Sequence, residues 1–252
     1  MTLRWVPGWD GLTEPEAVSY VAAVEAADGQ ELEFGVARAI NDFVTGCKQD
    51  KIWDAIKACC ILAGARTLDG ALVPLVGGAP TNNNFVSGDY DRETGLNKIS
   101  NEKYLASNRF NNDDPLDNCH ISVYGNPGSA YGGLIGSGAN SSVVRSIQVT
   151  NPTTLALKCN NSTYQLMTPD IGLIGCTRSS PSSFVGRAAG ISTVFNVTSA
   201  SASNFAIDVF QRGSVSGTRC RLAFYSIGES LDLAKLDTRV SNLITAIGAA
   251  IP

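Results

Sequence analysis

Apolar residues along the chain follow two periods, and the change from one to the other divides it. In the first 66 residues the spacing is helical. Val18, Val21 and Val24 recur at three-residue steps until Asp28-Gly29. Thr13-Glu14-Pro15-Glu16 in front of them reads as a capping box, with proline in the first turn where its missing N–H costs nothing. A second helix is predicted from Leu32 to Cys47, with Val36, Ile40, Phe43 and Val44 along one side. A third follows Asp50, carries Ile52, Trp53, Ile56, Cys59 and Cys60, and stops at Gly64. Each has a face to bury, so residues 1–66 are expected to form a small helical region.

Residues 67–83 read as a linker, with Ala71-Leu72-Val73-Pro74-Leu75-Val76 extended and Gly77-Gly78-Ala79-Pro80 turning the chain. Over 84–228 the period shortens to two. Strands are predicted at Cys119–Tyr124, Gly133–Gly136, Val143–Thr150, Thr154–Cys159 and Thr163–Met167, and then at Gly172–Thr177, Gly190–Asn196, Phe205–Gln211 and Arg219–Ser226. Asn126-Pro127-Gly128, Asn151-Pro152 and Asn160-Asn161-Ser162 supply turns at the rhythm of an antiparallel sandwich or barrel. No helical pattern interrupts the strands, which excludes a parallel βαβ sheet. Residues 229–252 close the chain with a helix capped by Ser230, whose stripe Leu236, Val240, Leu243 and Ile247 is expected to pack on the sandwich. The chain is thus read as mainly β, a sandwich with a helical N-terminal region and a C-terminal helix.

Composition narrows the function. With 17% charged residues and 25 glycines in 252, the chain has the make-up of a neutral, turn-rich β protein. A net charge of −4 without clustered Lys and Arg argues against nucleic acid as a partner. No apolar run reaches the roughly 18 residues of a membrane span. Met1-Thr2-Leu3-Arg4-Trp5-Val6-Pro7-Gly8 lacks the basic end and apolar run of a signal peptide. Cysteines at 47, 59, 60, 119, 159, 176 and 220 form no C-x-x-C pair, so thiols in a reducing cytoplasm are expected rather than a zinc site.

The inventory of reactive groups is thin. His120 is the single histidine, so any mechanism needing an imidazole base converges on it, and its place at a strand start suits a structural role. Between Lys103 and Gly228 there is no Glu, and the Asp residues stand at 113, 114, 117, 170 and 208. The paired carboxylates of glycoside hydrolysis are therefore missing from the sandwich, and no catalytic residue and no cofactor site is assigned. Asn111-Asn112-Asp113-Asp114-Pro115-Leu116-Asp117-Asn118 is the one dense run of oxygen ligands, with Asp113, Asp114 and Asp117 as Ca²⁺ candidates. It departs from the EF-hand pattern, and turn chemistry is the favoured reading of it. Tyr90, Tyr104, Arg109, Tyr124, Tyr131 and Arg187 lie near predicted turns and could meet a glycan or a protein surface. Trp5 and Trp9 flank Pro7-Gly8 in a possible docking arm.

Two stretches carry a family resemblance. Ala39-Ile40-Asn41-Asp42-Phe43-Val44-Thr45-Gly46-Cys47-Lys48 through Ile52-Trp53-Asp54-Ala55-Ile56-Lys57-Ala58-Cys59-Cys60-Ile61-Leu62-Ala63-Gly64-Ala65-Arg66 is one. Arg221-Leu222-Ala223-Phe224-Tyr225-Ser226-Ile227-Gly228-Glu229-Ser230-Leu231-Asp232-Leu233 is the other. They resemble segments of structural proteins of tailed bacteriophages that carry laminin G-like, concanavalin A-like domains. The resemblance runs from about residue 37 to the C-terminus. It implies a jelly-roll sandwich without a catalytic set, on the capsid or tail of a virion assembled in a bacterial cytoplasm. Other virion proteins, further copies of the chain and a host-surface glycan are the partners it implies. Carbohydrate-binding adhesin is the alternative to a purely structural role.

Overall fold

The computed structural model describes residues 11–138, 143–213 and 219–252. Trp5 and Trp9 lie outside the described residues. The first helix, α1 (Pro15–Asp28), starts and stops where the pattern places it, with proline in its first turn and Gly29 at φ 68° ending it. The expected capping box does not form. Asn41 Oδ1 instead accepts from the backbone N–H groups of Thr13 and Glu14, at 2.8 and 3.0 Å. Glu14 and Glu16 are both drawn to Lys48, at 2.7 and 2.6 Å. These partners belong to α2 (Phe34–Gln49), so one helix is capped from the side by the next.

The predicted third helix is a strand. After one 3₁₀ turn at Trp53–Ala55 the chain enters β1 (Ile56–Ile61), which runs antiparallel to the last strand, Arg221–Gly228. The physical reason lies in its two neighbours. Ala58 and Cys60 face the sandwich interior, while Cys59 and Ile61 face the helices. A strand buried on both sides is apolar throughout, and its spacing then imitates a helix. Cys59 and Cys60 consequently point to opposite layers.

The segment expected to be a linker holds α3 (Leu68–Ala71) and β2 (Thr81–Asn83), so sandwich strands begin at β1 rather than after residue 83. The strands that follow are β3 (Tyr90–Asp91), β4 (Gly95–Asn97), β5 (Tyr104–Phe110), β6 (Cys119–Asn126) and β7 (Gly132–Ser137). Next come β8 (Val144–Asn151), β9 (Thr154–Asn161), β10 (Gln165–Met167), β11 (Gly172–Ser180) and β12 (Ser183–Ala188). Last are β13 (Ile191–Phe195), β14 (Ala206–Val209), β15 (Arg221–Gly228) and α4 (Leu233–Ala250).

All strand pairs are antiparallel, in two sheets. The first runs β13-β12-β11-β6-β15-β4-β3, and β1 shares the far edge of β15 with β4. The second runs β10-β9-β8-β7-β14-β5-β2. The chain passes from sheet to sheet between β1 and β2, β2 and β3, β4 and β5, β5 and β6, β6 and β7, β10 and β11, β13 and β14, and β14 and β15. That interleaving makes a jelly-roll sandwich.

Two cores result. Between the sheets lie Leu105, Ile121, Val123, Ile147, Val149, Leu157, Ile207 and Tyr225. On the other side of the first sheet, α1, α2 and α4 cover Ile56, Cys59, Leu173 and Phe224. The C-terminal stripe Leu236, Val240, Leu243 and Ile247 is buried there, as expected. Each such side chain contributes roughly 1.5–3 kcal/mol relative to exposure. Asp232, not Ser230, caps α4 by accepting from Ala234 N and Lys235 N, while Ser230 donates to Asn118 Oδ1. The helices lie over the first sheet and leave the outer face of the second to other segments.

Candidate functional site

Opposed residues in an antiparallel sheet share a face, so register alone maps the outer face of the second sheet. One complete transverse row is Lys158, Ser146, Gly136, Asp208, Ala106 and Thr81, one residue per strand from β9 to β2. A second row is Leu166, Ala156, Gln148 and Gly133, from β10 to β7. The β9–β10 turn folds Tyr164 back onto this face. Its ring lies 4.4 Å from Lys158 Nζ, and its hydroxyl is 3.5 Å from Gln148 Oε1.

The chain leaving β14 also lies on the face. A Cβ at Gly133 would stand 2.6 Å from the backbone N of Arg212, so only glycine lets the two backbones approach. Arg212 and Lys158 are both fully buried beside Tyr164. Burial, and then the Arg212 charge, hold the Lys158 ammonium below its ordinary pKa. Burial raises the Tyr164 phenol, with Arg212 opposing the rise and Tyr131 adding to it. Tyr131, just before β7, is 51% exposed. Of this group Tyr131 is exposed and Tyr164 half-buried, while Gln148, Lys158 and Arg212 are buried; Leu166 and Thr81 of the rows are exposed as well.

The two rows contain one carboxylate, Asp208, and burial raises its pKa. It accepts from Gln211 Nε2 at 3.2 Å. A single carboxylate cannot serve as the acid–base pair of glycan hydrolysis. Aromatic faces beside an amide and hydroxyls can, by contrast, stack on and hydrogen-bond a neutral polar ring.

The six aromatic and arginine candidates do not converge. Tyr131 alone belongs to this face. Tyr90 donates its hydroxyl to Ala65 O at 2.7 Å and joins the two cores. Tyr104 packs at the rim of the inter-sheet core, and Tyr124 packs toward the helices. Arg109 pairs with Asp114 at 2.5 Å, and Arg187 pairs with Asp237 of α4 at 2.7 Å. These are structural engagements.

Two of the three carboxylates of the acidic loop are likewise committed, while Asp117 Oδ1 is buried without a hydrogen-bond partner. Asp114 accepts from Arg109 and Arg145, and Asp113 Oδ2 accepts from Phe110 N at 2.7 Å. Among the described residues no three His, Cys, Asp or Glu side chains are placed to hold a metal ion. His120 is buried at the start of β6. Its Nδ1 lies 2.5 Å from Glu229 O, and its Nε2 lies 2.7 Å from Ser226 Oγ. A carbonyl can only accept, so Nδ1 carries the proton and Nε2 accepts from the serine. Burial first, then the charges of Arg145 and Arg109, push its pKa down to about 3.

Tyr164, Gln148, Lys158 and Arg212 were not singled out by sequence reasoning. The alternation in β8 and β9 carried the signal for Gln148 and Lys158. Nothing local announces that Tyr164 and Arg212 fold onto the same face.

No protein-family model and no curated protein sequence matches the chain. Among solved structures it is similar to a botulinum neurotoxin type C chain whose passage into cells depends on interaction with two ganglioside molecules. Identity there is 13% and the TM-score 0.47, over 77% of this chain and 51% of that one. It is also similar to the binding domain of botulinum neurotoxin DC in complex with SialylT, at 16% identity and TM-score 0.40, over 68% of this chain and 45% of that one. The chain spans about half the length of either, and the overlap is too loose to transfer a binding site. Among the described residues no helix is long and apolar enough to cross a membrane.

Proposed function

We propose that this chain is a non-catalytic attachment module that binds surface carbohydrate on the outer face of its second sheet. The observation that supports the reading is Tyr164, its ring over Lys158 and its hydroxyl beside Gln148, with the half-exposed Tyr131 at the start of the neighbouring β7, on a face whose two rows hold no carboxylate pair. A pyranose ring offers an apolar C–H face to a tyrosine and hydroxyls to an amide. The chemistry matches without requiring charge on the ligand. The reacting groups a hydrolase would use are engaged elsewhere, His120 with a carbonyl and a serine and Asp114 with two arginines.

The test is a glycan array probed with the full chain, followed by titration of the best glycan against wild type and Tyr131→Ala. Binding that drops at least tenfold in the variant supports the reading. An array with no binding, or affinity unchanged in the variant, overturns it.

A second reading, a multi-copy structural component of a tailed-phage particle, is favoured by the free edge of the first sheet. Among the described residues β13 is its terminal strand, and Ile191 and Val194 are 63% and 62% exposed. From Ala188 to Ile207 the sequence has no charged residue. Edge strands are normally guarded by charge or proline, so this one is open to pairing with the same strand of another copy. Placing the chain on the capsid or tail, beside other virion proteins, follows from the sequence resemblance. Mass spectrometry of purified particles tests that placement, and absence from them rejects it.

A further inference from the structure

We propose that Cys119 and Cys159 are a latent cross-sheet disulfide site, which a small-molecule disulfide closes into a covalent bond between the two sheets. The inference does not depend on the carbohydrate reading. Cys119 opens β6 in one sheet, Cys159 lies in β9 of the other, and their Sγ atoms stand 4.0 Å apart across the buried inter-sheet core. A disulfide needs sulfurs at about 2.0 Å, so the pair must close by roughly 2 Å. The two residues are 40 apart in sequence, so the bond would tie a long loop.

The surroundings favour this pair over other combinations of the seven thiols. Asn160 Nδ2 donates to Cys119 Sγ at 3.3 Å and to Leu116 O at 2.8 Å, which holds that sulfur toward the opposite sheet. Cys176 is the third thiol of the neighbourhood, but its S–H donates to Lys158 O at 3.4 Å. Cys47 and Cys59 lie in the helix-side core, separated from this pair by the first sheet.

Both thiols are buried; the hydrogen bond to Cys159 and burial raise the Cys119 thiol, and burial raises Cys159, so thiolate is scarce and the reaction in the closed fold is slow. The way in is local. Cys119 directly follows the 111–118 loop, and Leu116 O of that loop accepts from its thiol at 3.8 Å. Opening of this loop uncovers Cys119 without separating the sheets.

The step balances with glutathione disulfide as oxidant. Two S–H bonds break and one S–S bond forms, while the two electrons and two protons convert the oxidant to two glutathione thiols. A mixed disulfide on Cys119 forms first, and Cys159 then displaces the second glutathione.

The test incubates the folded, fully reduced chain with excess glutathione disulfide and blocks the remaining thiols with an alkylating agent. Intact mass and a non-reducing peptide map are then read, and a second sample is refolded in a glutathione redox buffer. The expected product has lost two hydrogens, keeps five alkylatable thiols, and joins the peptide of Cys119 to that of Cys159. It melts at a higher temperature than the reduced chain, and dithiothreitol reverses the shift. Cys176→Ala keeps the cross-link, and Cys159→Ala abolishes it. Seven alkylated thiols in both samples, or a cross-link that joins Cys159 to Cys176 instead, overturns the proposal.

Discussion

Arg145 and Asp114 form an ion pair at 2.8 Å in which neither side chain is more than 2% exposed. Arg145 uses its remaining donors on backbone: Nη1 on His120 O at 3.3 Å, and Nη2 on Phe110 O and Asn111 O at 3.4 and 2.9 Å. Its Nε and its backbone N–H both reach Asn111 Oδ1. One side chain on β8 thus fastens the loop after β5 to the end of the sandwich, and that loop includes the acidic run that resembles a cation site in sequence. Removing one partner strands a buried charge. Arg145→Met is expected to cost about 3–5 kcal/mol, and Asp114→Asn a similar amount, by urea denaturation. Arg145→Met with Asp114→Leu is expected to lose less than the sum of the two single changes, because the buried Arg145 charge and its carboxylate leave together and only the more exposed Arg109 loses a partner. Strict additivity in that cycle would mean that the pair is not coupled.

His120 gives the fold a defined acid sensitivity. Its pKa in the folded chain is about 3, below the unfolded value of about 6.5, so between those limits the unfolded chain binds the extra proton. Stability is therefore fully present above about pH 6.5 and falls as pH drops toward 3, by about 1.4 kcal/mol per pH unit from this group. A series of chemical melts from pH 7.5 to pH 4 (about two and a half units of the titration window) should show that slope. His120→Gln keeps a polar side chain without a titrating group and should flatten it. An unchanged slope in the variant would assign the acid sensitivity to the carboxylates.

How much of this was legible in the sequence depended on which layer an element borders. Most strands from β6 to β15 alternate or carry turn signals and were readable, but β12 (Ser183–Ala188) was not predicted. β1 was not, because both of its faces are buried and its apolar run lacks alternation. The cap of α1 was misplaced for a related reason: Asn41, which accepts its first N–H groups, is 28 residues from Thr13. Of the candidate site, Tyr131 was visible as an aromatic near a turn, whereas Tyr90 and Tyr124 looked the same and proved to be packing residues. Composition near turns does not separate these cases. The register of the second sheet does.

The Tyr131–Tyr164 face yields a separation of function from stability. Tyr131 is half exposed and makes no core contact that its loss would open, so Tyr131→Ala should leave the melting midpoint within about 0.5 kcal/mol of wild type. Loss of one stacking aromatic should weaken glycan binding at least tenfold, about 1.4 kcal/mol. Lys158→Met keeps the buried volume but removes the ammonium held over the Tyr164 ring, and is expected to weaken the same binding less than Tyr131→Ala does. Paired titration calorimetry and thermal melts check both. A Tyr131→Ala protein that binds normally, or one that unfolds, would contradict the assignment of that residue to ligand contact.

The edge of the first sheet supplies a prediction of opposite character, in which charge is added rather than removed. Ile191 and Val194 project from the terminal strand with most of their surface in solvent, so lysine at either position keeps its ammonium in water. Ile191→Lys and Val194→Lys should change folding stability by no more than about 0.5 kcal/mol. Their effect should appear in association. An uncharged β-branched edge can pair with its own copy in an antiparallel two-fold arrangement, and a lysine on that strand meets a like charge or loses its hydration when the strands meet. Sedimentation velocity over a concentration series should therefore show self-association in wild type and a shift toward monomer in both variants. If wild type remains monomeric across the series, β13 is not a self-pairing edge and the chain reaches multiple copies, if it does, through another surface.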